Sequence, residues 1–225
     1  MTLSPSASIP LQERLRVIEV YTSVQGESAW QGLPCVFVRL AGCNLRCTWC
    51  DSTWTFTGGE HRAIDDVVAQ AHGFDIDLIE LTGGEPLAHR QAIPLMQRLL
   101  DRGHTVLLET SGSLDIGPVP PAVHIIMDLK APDSGEVGKN RWANLPLLRE
   151  KDNLKIVLAS RGDYEWARQV VLRHDLAARL PVFFSPAWGL LDPVALAGWL
   201  VQDHLPVRLQ LQLHKILWPA EARGV

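Results

Sequence analysis

The sequence predicts an α/β fold, a partial (incomplete) β/α barrel whose strand-end loops converge on one mouth. Three observations carry this expectation. Short β-branched runs alternate with helix-like segments along the chain, the pattern of parallel strands joined by right-handed crossovers. Four segments have the length and spacing of amphipathic helices, too few for eight full β/α units. An incomplete barrel is therefore expected over a closed one, with a doubly wound sheet as the alternative. Finally, polar or glycine-rich residues follow nearly every strand candidate, at the carboxyl ends where such folds hold ligands.

Strands are expected at 15–22, 35–40, 78–81, 106–109, 123–128, 154–158, 182–185 and 209–213, each a short apolar or β-branched run bounded by turn residues. Helices are expected at 63–72, 91–102, 164–179 and 193–204. Gly73 and Gly103 stand where C-terminal caps would end the first two. Pro94 draws the start of the second helix toward itself, because proline is tolerated in a first turn and not in a helix interior. One domain across residues 1–225 is expected, with 1–14 a flexible tail.

Hydrophobic residues make up 47% and charged residues 20%, with a net charge of -4. That suits a globular protein without the basic face of a nucleic-acid binder. A small acidic metabolite could still be held by a few Arg or Lys side chains. No run of ~18 apolar residues suggests a membrane span. The opening MTLSPSASIPLQERL lacks the basic start and apolar run of a secretory signal. Three of the four cysteines fall between positions 43 and 50, unlike a disulfide framework spread along a secreted chain. A reducing cytoplasm and a metal site are the expectation. Cys35, within Pro34-Cys35-Val36-Phe37-Val38, reads as a small buried hydrophobe.

The cysteine loop runs Gly42-Cys43-Asn44-Leu45-Arg46-Cys47-Thr48-Trp49-Cys50-Asp51, a C-x3-C-x2-C spacing. Thiolates suit iron–sulfur clusters or zinc. A closed structural zinc site needs four ligands, and no second C-x2-C or H-x3-H pair is present, although His61 or Asp51 could serve as the fourth. Three thiolates on a cubane leave one iron open to a chelating cofactor. A structural zinc knuckle or a plain redox cluster remains the alternative.

With Gly83-Gly84-Glu85-Pro86 following a strand downstream, the cysteine loop resembles the radical S-adenosylmethionine (SAM) superfamily. The resemblance implies a partial barrel of the radical SAM type and a [4Fe-4S] cluster on Cys43, Cys47 and Cys50. It also implies SAM chelating the open iron. Trp49, Gly84 and Glu85 match SAM-binding positions, as do Asp128, Lys130 and Ser185 less closely.

Further segments narrow the resemblance. These are Thr22-Ser23-Val24-Gln25-Gly26-Glu27-Ser28, Phe37-Val38-Arg39-Leu40-Ala41, Cys50-Asp51-Ser52-Thr53-Trp54, Glu109-Thr110-Ser111-Gly112 and Leu213-His214-Lys215. Together they are similar to the 7-carboxy-7-deazaguanine synthase family. That resemblance implies a lyase converting 6-carboxy-5,6,7,8-tetrahydropterin to 7-carboxy-7-deazaguanine and ammonia, in queuosine and deazapurine biosynthesis. It implies a flavodoxin-like electron donor and a homodimer. Val24, Gln25, Gly26 and Glu27 match a substrate-holding turn, Arg39 a partner of the substrate carboxylate, and Thr82 and Glu109 further substrate contacts. Ser52, with Thr53 adjacent, matches a Mg2+ ligand. Some members end near Pro219 with a terminal carboxylate on the substrate. This chain continues through residues 220–225, so that contact is not expected. The competing readings are a glycyl-radical-enzyme activating enzyme, which would lack a pterin-reading turn, and a non-enzymatic zinc- or cluster-binding module.

Overall fold

The computed structural model describes residues 14–225. They form one nine-stranded sheet: β1 (Arg14–Val24), β2 (Pro34–Leu40), β3 (Glu60–Ala63), β4 (Leu78–Gly83), β5 (Thr105–Thr110), β6 (His124–Asp128), β7 (Asn153–Leu158), β8 (Val182–Pro186) and β9 (Arg208–Leu209). The spatial order is β3-β1-β2-β4-β5-β6-β7-β8-β9. β3, β1 and β2 pair antiparallel, and every later neighbour from β2 to β9 is parallel. The sheet has two free edges, β3 and β9, so the barrel is open.

The helices are α1 (Ile64–His72), α2 (Ala92–Asp101), α3 (Arg161–Arg173), α4 (Pro193–Asp203) and the short α5 (Leu213–Leu217). Residues from α1 to α4 pack in one apolar core against Val36, Val38, Leu40, Ile79, Leu81, Val106, Leu108, Ile156 and Phe184 of the strands. A smaller cluster, Cys35, Phe37, Leu78, Leu107 and Ile126, sits on the opposite face and contains no helix residue. Side chains alternate along a strand, so each central strand feeds both faces. Helices on one face only give a barrel-type wrap, and the doubly wound alternative falls.

Several boundaries differ from the sequence expectation. The helix expected at 164–179 is α3, capped by Ser160 Oγ, which accepts from Asp163 N–H at 3.2 Å. It stops at Arg173, because Asp175 turns left-handed at φ 49°. The strand expected at 209–213 shrinks to the two residues of β9, and Leu213 instead starts α5. Its apolar alternation is spent on loop contacts: Gln210 is buried, donating to Ser28 O and accepting from Ser28 N–H. β3 was not foreseen, since Glu60-His61-Arg62 is polar. It is an edge strand held by its ladder to β1. Pro94 lies in the first turn of α2, where its missing N–H leaves no bond unmade. Of the expected tail, Arg14 belongs to β1 and residues 1–13 lie outside the described residues.

Candidate active site

The helix-free face of the sheet has a gradient along its strands. At the amino ends it carries the small apolar cluster. Toward the carboxyl ends the same alternation presents Arg39 on β2, Glu80 and Thr82 on β4, Glu109 on β5, Asp128 on β6 and Lys155 on β7. These line a cavity of about 810 Å³, and the apolar cluster beneath closes its floor. Such a charged tier within otherwise apolar parallel strands requires pairing, because an isolated buried charge is costly.

Lys155 supplies much of that pairing. Its Nζ contacts Glu27, donates to Glu109 Oε1 at 2.8 Å and lies 3.9 Å from Asp128 Oδ2. Burial works against its charge, yet Glu109 and Glu27 hold its pKa well above the usual lysine value. Burial would raise Glu109, but Lys155 and the Thr82 hydroxyl, which donates to Oε2 at 2.8 Å, bring it down to about 2. Lys130 pairs with Asp128 at 2.8 Å, and that carboxylate raises its pKa despite burial.

The cysteine loop forms one wall. Cys43, Cys47 and Cys50 are free thiols, partly exposed to the cavity. Burial pushes the Cys43 and Cys47 thiols up. The loop is docked onto the end of β4: Gly84 N–H donates to Leu40 O at 3.2 Å and Glu85 N–H to Gly42 O at 2.9 Å. Side chains have no room here. A Cβ on Gly83, whose φ is +135°, would stand 2.2 Å from Leu40 O, and one on Gly84 would stand 2.1 Å from Gly42 O. The double glycine thus lets two backbones meet and sets the thiols over the strand ends.

Opposite lies the turn after β1. Gln25 is buried; its Nε2 donates to Glu80 Oε2 at 2.9 Å and its Oε1 accepts from Glu27 N–H at 2.6 Å. Gly26 carries His214 against it: Leu213 N–H donates to Gly26 O at 3.0 Å, and a Cβ on Gly26 would meet His214 Nδ1 at 2.6 Å. Arg39 is braced by Glu19 at 2.9 Å and by the Tyr21 hydroxyl at 2.5 Å, and its guanidinium lies 5.5 Å from the Trp54 ring centre. Lys215 pairs with Asp51 at 2.7 Å, tying the chain's last helix to the cysteine loop.

The family profile for the Radical SAM superfamily matches residues 38–132. The 7-carboxy-7-deazaguanine synthase of Koribacter versatilis (strain Ellin345) is 44% identical, covering 94% of this chain and 100% of the relative. That of Chlorobaculum tepidum is also 44% identical, over 94% of this chain and 97% of its own. The chain belongs to the 7-carboxy-7-deazaguanine synthase family. Among solved structures, QueE from Escherichia coli superposes with a TM-score of 0.74 at 20% identity, covering 89% of this chain and 95% of that one. At that identity the likeness speaks for the fold. Membership of this radical SAM family carries with it a [4Fe-4S] cluster and SAM.

The residues present fit those groups. Three thiols edge one cavity wall. Asp128 Oδ1 is buried without a partner on the same cavity, an acceptor left for a polar ligand. For this synthase-family member the cavity gathers Val24, Gln25, Gly26, Glu27, Arg39, Trp49, Ser52, Thr82, Gly84, Glu109, Asp128 and Lys130 with the three cysteines. Two expected SAM contacts do not line it. Glu85 is fully buried, and its carboxylate accepts from Leu87 N–H, Thr110 Oγ1, Ser111 N–H and Ser111 Oγ. It ties the β4 and β5 ends together and has no lone pair facing outward. Ser185 is 1% exposed behind the wall, its Oγ unpartnered.

Residues that sequence reasoning passed over include Glu19, Tyr21, Glu80 and Lys155, all on the cavity; the segment 220–225, from which no substrate contact was expected, lines it too. A signal existed for two of them. Glu80 and Lys155 interrupt the apolar strands Leu78-Ile79-Glu80-Leu81 and Leu154-Lys155-Ile156-Val157, where a charge implies a partnered site. Residues 220–225 follow Pro219 without a motif. Only the fold brings them across the mouth, with Arg223 4.7 Å over the Trp54 ring.

Proposed function

We propose that this protein converts 6-carboxy-5,6,7,8-tetrahydropterin to 7-carboxy-7-deazaguanine and ammonia, a step toward queuosine and related deazapurines. The observation that carries this is one cavity. The turn 24–27 and Arg39 face it from one side and the three cysteines from the other. Cys43, Cys47 and Cys50 would hold the cluster, and when bound the cluster and SAM supply the radical chemistry.

The chain's own residues bind and orient. Arg39, already fixed by Glu19 and Tyr21, offers the rest of its guanidinium to the substrate carboxylate, a fork matched to two oxygens. Glu27 and Glu109, both paired with Lys155, present acceptors to the amino and ring N–H groups of a pterin. Tyr21, Phe37 and Trp54 close the cavity around a flat ring. Asp128, Lys130 and Trp49 lie on the cysteine side, where SAM would sit.

Ser52 is the proposed oxygen ligand for Mg2+. Its Oγ is 3.8 Å from Cys50 Sγ, on the edge shared by the two halves of the cavity. Hard cations take few protein oxygens in such places. The proposal extends to one domain, a flavodoxin-like electron donor, a homodimer and a cytoplasmic location. No helix among the described residues is long and apolar enough to cross a membrane.

The test is anaerobic turnover of the reconstituted protein with SAM, a reductant and the carboxypterin, with and without Mg2+. Formation of the carboxylated deazaguanine is expected. SAM cleavage accompanied by a glycyl radical on an added protein, with no deazaguanine, would place the chain with the activating enzymes instead.

A further inference from the structure

Four carboxyl groups and two lysines meet around the cavity floor: Glu27, Glu80, Glu109 and Asp128 with Lys130 and Lys155. Lys155 pairs with Glu27 and Glu109, and Lys130 with Asp128. Glu80 has no cation within 4.0 Å among the described residues. Its carboxyl is 1% exposed, and Gln25 Nε2 is the donor that meets it, at 2.9 Å. The other groups facing it are Tyr21 from β1, Cys35 from β2, Glu27 from the turn, Glu109 from β5 and Lys155 from β7. With the Arg39–Glu19 pair of the same cavity included, five acids less Arg39 and two lysines leave two negative charges in excess. A buried carboxyl without a cation sheds such an excess by taking a proton.

We propose that Glu80 is a neutral carboxylic acid in the working enzyme and gives the cavity floor an O–H donor for a carbonyl oxygen or ring nitrogen of the heterocyclic substrate. This rests on the pterin reading above. The ion-paired carboxylates nearby accept hydrogen bonds and do not donate, so they read the N–H groups of a 2-amino-4-oxo heterocycle. Its acceptors need a donor from the same floor. A protonated carboxyl supplies one while its other oxygen still accepts from Gln25. Gln25 is in turn held at both ends of its amide, by Glu80 and by Glu27 N–H. Glu80 thus sets specificity twice, through its own proton and through the orientation of Gln25. Burial first, and the Glu109 charge second, push Glu80 up to about 8, which agrees with the geometry. The donor is present below that pH and lost above it.

The experiment compares wild type with Glu80→Gln and Glu80→Leu in reconstituted holoenzyme from about pH 6 to about pH 9. Glu80→Gln keeps a neutral donor at every pH, and Glu80→Leu removes it. The wild-type KM for the carboxypterin is expected to rise toward about tenfold per pH unit once the acid ionises. Glu80→Gln should lose that alkaline rise and keep a KM within about threefold of the wild-type acid value, whereas Glu80→Leu should raise KM about tenfold or more at all pH with a smaller change in kcat. An alkaline rise that persists in Glu80→Gln, or a Glu80→Gln enzyme as impaired as Glu80→Leu, overturns the proposal. A second reading does not depend on turnover. Infrared titration of the wild-type protein should show a protonated-carboxyl C=O band that vanishes on alkalinisation and is missing in Glu80→Gln. No such band at neutral pH overturns the proposal. If the wild type forms no deazaguanine yet shows the band, the substrate assignment fails while the proton on Glu80 stands.

Discussion

At the scale of single residues, the cavity is a set of charges whose states are fixed by neighbours. Arg39 illustrates how bracing precedes binding. Glu19 and Tyr21 occupy part of its fork, so under the proposed function a substrate carboxylate would meet a guanidinium already oriented. Arg39→Lys keeps the charge and loses the fork. It should raise the carboxypterin KM about tenfold while SAM cleavage continues uncoupled from product. Comparing 5′-deoxyadenosine formed with deazaguanine formed checks this, and an unchanged KM removes Arg39 from the site. Cys47→Ala should leave the fold intact but lower iron bound after anaerobic reconstitution to a small fraction of wild type, read by iron and sulfide analysis. The acids also fix how stability responds to pH. Glu80 is raised from 4.5 to about 8, so the native state binds that proton more tightly than the unfolded chain. Its contribution is complete below its ordinary value and is lost as pH rises through about 8. Glu109 is lowered to about 2, and its contribution is lost as pH falls toward that value. Urea unfolding of wild type and Glu80→Gln between about pH 5 and about pH 9 should therefore show the wild type losing stability relative to the variant as pH rises.

At the scale of elements, a backbone contact docks the cysteine loop onto the sheet. The end of β4 and the start of the cysteine loop touch backbone to backbone, with Gly83 and Gly84 the two residues allowing it. Alanine at either position drives a Cβ into Leu40 O or Gly42 O. The expected cost is roughly 2–4 kcal/mol, a fall in Tm of roughly 5–10 °C, together with impaired cluster loading. Gly32→Ala is the control. Its φ is +92° but no atom lies within 4 Å of the added Cβ, so only the conformational cost of about 1 kcal/mol remains. Equal melting of all three variants would show that the close approach is unimportant. The double-glycine motif was legible in the sequence, and so was its place after a strand. Its partner was not, because proximity of residues 40–42 to 83–84 depends on the parallel pairing of β2 with β4.

At the scale of the whole molecule, the sheet divides labour between its faces. Leu81 is fully buried among the helices, while Thr82, the next residue, turns its hydroxyl to Glu109 in the cavity. Leu81→Ala should destabilise by about 2–5 kcal/mol through the void it leaves. Thr82→Ala should cost no more than about 1.5 kcal/mol yet raise the substrate KM, since it frees Glu109 Oε2 from its donor. Thermal melts and steady-state kinetics on the two variants separate these effects. A Thr82→Ala protein that melts as early as Leu81→Ala would deny that the cavity face is independent of the core.

The sequence by itself determined the α/β class, the strand–helix alternation, the cysteine triplet, the double glycine and the polar turn at residues 24–27. Each of these is local, written in periodicity, spacing or residue type over a few positions. The fold decided what those segments face. It cut the strand expected at 209–213 to Arg208–Leu209 and gave Leu213 to α5, with Gln210 between them buried against Ser28. It spent the Glu85 carboxylate on a tie between strand ends that the sequence did not show. It also gathered Glu80 and Lys155, 75 positions apart in the chain, around one buried network. Charges cannot be paired from a sequence, because the cost of burying them is met by partners that only the parallel sheet brings within reach.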